Sequence, residues 1–190
     1  MKTSKFLRKK IAPFVKGLQK DDNGVFIKKG HGVPAADLSP NSDGMYELTD
    51  INWDDAIAQH TYFVKFYAPW CSMCKKLQTY WDKVPGLISK DSQVRIAKID
   101  ATKEMKTANK YSINSYPTLK VIGISKESKE EIAVDFSLKK MKGDGRESEF
   151  LANWGEKKGL DVDKAYATQL ALEKFEREKK EKAEKEQDDE

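Results

Sequence analysis

The sequence predicts an α/β fold: a central mixed sheet flanked by helices, with a basic N-terminal extension and a long charged C-terminal helix. Three observations carry that expectation. Tyr62-Phe63-Val64-Lys65-Phe66-Tyr67 is a near-continuous apolar, aromatic and β-branched run that reads as a buried parallel strand. Segments of strand and helix character then alternate along residues 45–159. Finally, Pro69 stops the strand and Cys71 falls where a helix should begin, so Cys71-Ser72-Met73-Cys74 occupies a strand-to-helix turn.

In chain order, Met45–Leu48 reads as a short edge strand. Asp50 or Asn52 can cap a helix containing Trp53, Ala56 and Ile57. The strand through Tyr67 and the helix carrying the cysteines follow. Leu77, Tyr80, Trp81 and Val84 recur three or four apart as far as the Pro85-Gly86 break. Val94–Ile99 is a second buried strand, and Lys103–Tyr111 a short polar helix. Thr118–Ile124 and Ile132–Phe136 are further strands, and Glu147–Trp154 starts a closing helix.

The ends have a different character. With 38% hydrophobic and 35% charged residues among 190, the core must be concentrated in part of the chain. Net charge is +4, too small to imply a nucleic-acid partner, and no apolar stretch is long enough to span a membrane. Residues 1–44 form a basic arm and linker. Phe6, Leu7, Ile11, Phe14, Val15 and Leu18 could make one helical stripe, interrupted by Pro13, and the segment reads as a docking arm, a transit-peptide-like segment or a disordered tail. The Gly- and Pro-rich linker that follows holds a candidate short strand at Val25–Ile27. Residues 160–190 read as a helical tail. Val162, Ala165, Tyr166, Gln169, Leu170, Leu172 and Phe175 give it one apolar side, and beyond Phe175 it is almost wholly charged, suiting a spacer, a docking rod or a frayed solubilising tail.

The chemistry concentrates at the two cysteines, which are the only ones in the chain. The first lies at a helix start, where unpaired N–H groups and the positive dipole end suit a nucleophilic sulfur. The second returns to the same face one turn later and can close a disulfide, so the pair reads as a redox site with no further cofactor. A zinc site completed by His31 and His60 is the metal alternative, but both histidines lie upstream at spacings unlike any finger. No metal is expected.

Three separated motifs give a resemblance. Tyr67-Ala68-Pro69-Trp70-Cys71-Ser72-Met73-Cys74-Lys75-Lys76, then Ala97-Lys98-Ile99-Asp100-Ala101-Thr102, then Ser115-Tyr116-Pro117-Thr118-Leu119-Lys120, resemble a thioredoxin-fold domain of the protein disulfide isomerase type over about residues 45–159. The resemblance implies a thiol–disulfide oxidoreductase acting on protein disulfides, with the last two strands of the sheet antiparallel. It makes Cys71 the attacking thiol, Cys74 the resolving one and Pro117 a cis-proline facing them. Trp70, Ser72, Met73 and Tyr116 form the substrate-facing surface, and Arg146 resembles an arginine that tunes the resolving thiol, or is an ordinary solvated side chain. Partners implied are proteins bearing thiols or disulfides and an unidentified recycling partner.

Two departures from the family stand out. Ser72-Met73 replaces the Gly-His usual in the isomerases. Lys65 stands where the family carries a buried acid that accepts the proton of the resolving cysteine, while Lys98 matches the lysine that normally pairs with that acid. Lys65 is therefore expected to be neutral, to reach solvent, or to find another anion. These departures keep open a second reading, a redox-weak thioredoxin-fold binding or structural subunit of a larger assembly. The resemblance also suggests the endoplasmic reticulum. The sequence adds no clear signal peptide, and Gln187-Asp188-Asp189-Glu190 is not a retention motif, so a soluble intracellular setting is the alternative.

Overall fold

A computed structural model describes residues 18–20, 26–28, 38–141 and 143–188. The chain divides into two compact units, Met1–Asp37 and Leu38–Glu190. In the first, β1 (Leu18–Lys20) and β2 (Phe26–Lys28) pair antiparallel, with Gln19 opposite Ile27. Of the helical stripe expected over Phe6–Leu18, Leu18 instead begins strand β1, and its other members lie outside the described residues.

The second unit runs β3 (Tyr46–Glu47), α1 (Trp53–Gln59), β4 (Thr61–Tyr67), α2 (Ser72–Trp81), α3 (Val84–Leu87), β5 (Val94–Asp100), α4 (Met105–Lys110), β6 (Thr118–Ile124), β7 (Glu131–Phe136), α5 (Glu147–Leu160) and α6 (Val162–Asp188). Its five-stranded sheet has the order β3-β5-β4-β6-β7. The first three of these strands are parallel, whereas β6 is antiparallel to β4, and β7 to β6.

Strand β4 is central because both its faces can be buried. Tyr62, Val64 and Phe66 join Trp53, Ala56 and Ile57 of α1 and Ala108 of α4 in one core layer. Phe63 points the other way, as the two-residue period of a strand requires, and joins Leu77 and Trp81 of α2 and Leu151 and Ala152 of α5. Lys65 lies on this second face and is fully buried. The cysteines follow the C-terminal end of β4, the end of a parallel sheet at which helices begin and sites form.

Four local features differ from the sequence reading. Asp50 caps α4 rather than α1: its carboxylate accepts hydrogen bonds from the Thr107 amide (2.7 Å), the Thr107 hydroxyl (2.6 Å) and the Lys106 amide (3.0 Å). The N-cap residue of α4, Glu104, makes no side-chain cap, so the free amides of that first turn take a carboxylate brought in from elsewhere. Pro85 does not simply end a helix. It sits in the first turn of α3, where its missing N–H costs nothing. The stretch just ahead of Met45, expected as extended linker, is folded at its end: Asn41 accepts from the amides of Asp43 and Met45, and Leu38 packs on the core.

The fourth concerns the tail. The start of α6 belongs to the core: Val162 and Ala165 are buried, Asp163 accepts from the Ser125 hydroxyl and the Lys126 amide, and Gln169 accepts from the Asp135 amide on the sheet edge at 2.7 Å. Leu170, Leu172 and Phe175, assigned to the same apolar side, are exposed. The helix separates from the sheet at about that point, and its distal half is charged.

Gly155 of α5 lies against the fully buried Phe63 ring, where an added Cβ would come within 2.4 Å of Phe63 Cδ1. That ring is held by Trp81 and Trp154, with centroids 4.8 Å and 5.3 Å away. Gly155→Ala is expected to lose on the order of 1–3 kcal/mol from overpacking, outweighing a helix-propensity gain of about 1 kcal/mol. Urea unfolding checks this, and a neutral or stabilised variant would contradict such close helix–strand packing.

Candidate functional site

The turn after β4 puts two sulfurs in unequal positions. Cys71 is the N-cap of α2: its amide donates to the Ala68 carbonyl at 3.1 Å, and its sulfur accepts from the Cys74 amide at 3.1 Å. The sulfur thus occupies the place that a serine or aspartate oxygen takes at other helix starts, among the free N–H groups and at the positive dipole end. It also faces the Tyr116 carbonyl at 3.6 Å, to which its S–H donates. The Tyr116–Pro117 bond is cis, and Pro117 is buried, so this loop from another part of the chain closes over the turn.

Cys74 lies one turn further along α2 and inward. Burial, and then the neighbouring Cys71 sulfur, push its thiol up to about 11, while the Lys65 charge pulls in the opposite direction. Both cysteines are free thiols in this structure. Around them the surface is apolar and open. Trp70 is 72% exposed and Met73 55% exposed, Ser72 is exposed, and the Trp70 ring stands edge-on to Tyr116 at 5.9 Å. An exposed tryptophan and methionine thus form an apolar surface around the Cys71 sulfur.

Lys65 does not reach solvent. Its Nζ donates to Gln78 Oε1 and lies 5.5 Å and 5.9 Å from the ring centroids of Tyr67 and Trp81. Burial pulls its pKa down to about 8, partly offset by Asp82 and Cys74 and reinforced by Lys98. Lys98 is directly opposite in the β4–β5 register, and its own Nζ pairs with Glu47 at 3.8 Å. The two lysines thus flank the same stretch of sheet; Glu47 pairs with Lys98, and Asp82 is linked to Lys65 only through Gln78. Gln78 had no place in the sequence reading, although its position four residues after Cys74 on α2 puts it on the cysteine's face.

Arg146 is placed elsewhere. It precedes α5, is paired with Asp144 at 3.3 Å, is 78% exposed in its side chain, and is not among the groups acting on the Cys74 thiol. His60 precedes β4, at the opposite end of that strand from the cysteines and roughly 20 Å away at about 3.3 Å per residue, so it cannot share a metal with them. His31 lies outside the described residues.

A fold with a strand-to-helix CxxC turn under a cis-proline loop defines a class, and the comparisons agree. The thioredoxin family model matches residues 44–141, and the chain belongs to that family of thiol–disulfide oxidoreductases. Within it, the chain is similar to domains of protein disulfide isomerases. The rabbit (Oryctolagus cuniculus) protein disulfide-isomerase is 35% identical over 120 residues, covering 61% of this chain and 21% of its own. A thioredoxin domain-containing protein 5 homolog of Drosophila melanogaster is 38% identical over 82 residues, covering 43% of this chain and 20% of its own. The solution structure of the first thioredoxin domain of mouse protein disulfide-isomerase A4 aligns with 65% of this chain and 83% of that one, at 31% identity and a TM-score of 0.48. The chain spans about a fifth of the length of these two relatives. Among the described residues, no helix is long and apolar enough to cross a membrane.

The buried lysine has a measurable consequence. Between about 8 and its ordinary 10.5 the unfolded chain holds a proton at Lys65 that the folded chain has released, so this group makes stability rise with pH through that window. Lys65→Met removes the effect. The variant is expected to be more stable than wild type at pH 7 by on the order of 3 kcal/mol, with the gap narrowing as pH climbs from about 8 to about 10.5. Urea titrations across that range measure it. A gap independent of pH, or a less stable variant, would contradict the burial of a charged lysine.

Proposed function

We propose that the chain catalyses thiol–disulfide exchange on protein substrates through Cys71 and Cys74. The observation that carries this reading is the Cys71 sulfur at the N-cap of α2, hydrogen-bonded by the Cys74 amide and bordered by exposed Trp70 and Met73. Cys71 attacks a substrate sulfur and forms a mixed disulfide. Cys74, held one turn inward, attacks Cys71, releases the reduced substrate and leaves the Cys71–Cys74 disulfide. Tyr116 and Pro117 border the approach opposite Trp70 and would contact the substrate chain. An oxidising compartment such as the endoplasmic reticulum is the proposed setting, with a thiol or disulfide partner to restore the pair.

Roles are separated by single substitutions. Cys71→Ser should abolish turnover of an insulin-type disulfide substrate. Cys74→Ser should accumulate covalent substrate complexes on non-reducing gels, because attack survives and release does not. Equal behaviour of the two variants would contradict the assignment. If the purified wild-type chain does not turn over such a substrate at all, the reading as a binding subunit takes its place.

The reduction potential tests the turn itself. The Cys71 sulfur sits at a helix N-terminus, but Met73 offers only a thioether where a histidine could offer a cationic donor. The potential should fall between about −180 mV and about −270 mV, nearer the lower figure. Met73→His should raise it by tens of millivolts, on the order of a tenfold change in the glutathione equilibrium constant. An unmoved potential would show that this position does not set the poise.

A further inference from the structure

Lys65 is the one fully buried lysine in the described core, and exchange chemistry as set out above makes no use of it. A lysine is rarely found at such a position without a carboxylate. Among the described residues none lies within ion-pair distance of Nζ. Its polar contact is the neutral Gln78 side-chain carbonyl, supplemented by the faces of Tyr67 and Trp81. Gln78 in turn donates through Nε2 to Asp82 at the end of α2. Cys74 lies on the same face of that helix, one turn above Gln78, or about 6 Å along its axis at 1.5 Å per residue. A buried ammonium without an ion-paired carboxylate therefore contacts α2 through Gln78, on the helix face that also carries the buried Cys74 thiol, and the charge of each group acts on the other.

We infer that Lys65 is the proton-exchange partner of Cys74 in the resolving step: its amine takes the Cys74 proton, and the resulting ammonium holds the thiolate that attacks Cys71. This deepens the exchange reading and rests on it. The balance is as follows. In the mixed disulfide, Cys71 Sγ is bonded to a substrate sulfur. The Cys74 S–H proton passes to Lys65 Nζ, the Cys74 thiolate attacks Cys71 Sγ, and the Cys71–Cys74 bond forms as the Cys71–substrate bond breaks. The substrate sulfur leaves with the electron pair, and the ammonium later returns its proton to the departing thiolate or to water. Over both steps the two cysteines lose two electrons and the substrate disulfide gains them.

Other groups facing Lys65 do not offer the same service. Tyr67 on its own strand is pushed up by burial and so stays protonated, Lys98 on β5 has Glu47, and Asp82 is reached through Gln78. Opposite on β6 is Leu119, and α5 contributes no charge that acts on Lys65. The Lys65–Cys74 pair holds two protons at low pH. It gives up the first near 8, where Lys65 titrates, and the thiolate–ammonium arrangement is one form of the singly protonated pair. Resolution should therefore accelerate with pH up to about 8 and level off above it.

Reduced protein mixed with an aromatic disulfide, dithiobis-nitrobenzoate, releases one coloured nitrothiolate when Cys71 attacks and a second when Cys74 resolves, so stopped-flow absorbance reads the two steps separately. In wild type the second phase should rise with pH and bend near 8. In Lys65→Met it should be slower at pH 7 by roughly tenfold, the effect of removing one nearby opposite charge, and should keep rising well past 8 with no bend. Gln78→Leu removes the hydrogen-bond acceptor of the ammonium, so it should move the bend to lower pH. A bend that stays near 8 in Lys65→Met, or one unmoved in Gln78→Leu, would overturn the role of Lys65. Absence of any second phase in wild type, with the first intact, would instead overturn the two-cysteine exchange reading.

Discussion

The hydrogen bond from the Cys74 amide to the Cys71 sulfur, 3.1 Å long, is the contact on which the site depends. It is a helix cap made by a thiol, and it can form only because the chain changes from strand to helix at that residue. Everything that makes the two cysteines unequal follows from it. The cap leaves Cys71 at the mouth of the turn, beside the Tyr116 carbonyl and the exposed Trp70, and rotates Cys74 into the interior. Both side chains are buried, Cys71 at 8% and Cys74 at 3% exposure, but their neighbours differ: Cys71 faces the Tyr116 carbonyl and the Cys74 amide, whereas Cys74 is turned toward the interior and Lys65.

The turn in turn depends on β4. A helix start can be aimed only if the preceding strand is immobile, and β4 is fixed by parallel pairing to β5 on one side, antiparallel pairing to β6 on the other, and a core layer on each face. Lys65 interrupts this economy of apolar burial. Its ammonium has exchanged water for one amide oxygen and two aromatic faces, a poor replacement, and the lowered pKa records the deficit. The cost falls directly beneath the cysteine turn, between the strand and the helix that flank it. Strain of this kind is tolerated where the surrounding packing is extensive enough to offset it.

Legibility in the sequence followed the range of the interactions. Strand β4 and the cysteine turn were readable because apolar continuity, Pro69 and the cysteine spacing are local signals. The same holds for β5, β6 and α2. Of the two residues offered as the cap of α1, Asn52 holds the N-cap position, whereas Asp50 caps α4, because its partners Lys106 and Thr107 are more than fifty residues away and capping chemistry names a carboxylate but not which helix start it meets. The tail's apolar residues looked like one stripe, yet Val162 and Ala165 pack while Leu170, Leu172 and Phe175 do not, since helical periodicity shows a face but not where the neighbouring sheet ends. That Lys65 was anomalous was visible from its place in an apolar strand. Its partner was not, because Gln78 is an ordinary polar residue on a half-exposed helix and only the packing of α2 on β4 brings the two together. Arg146 was carried by resemblance alone, and the structure pairs it with Asp144.

The inequality of the two sulfurs is the central claim, and competitive alkylation tests it without any substrate. Reduced protein treated with limiting iodoacetamide at pH 7, followed by peptide mapping, gives the relative rate at each cysteine. Cys74 is only 3% exposed and its thiol is pushed up to about 11, so it should be labelled slowly. The account predicts labelling of Cys71 in preference to Cys74 by about tenfold or more. Equal labelling, or modification of Cys74 first, would contradict it.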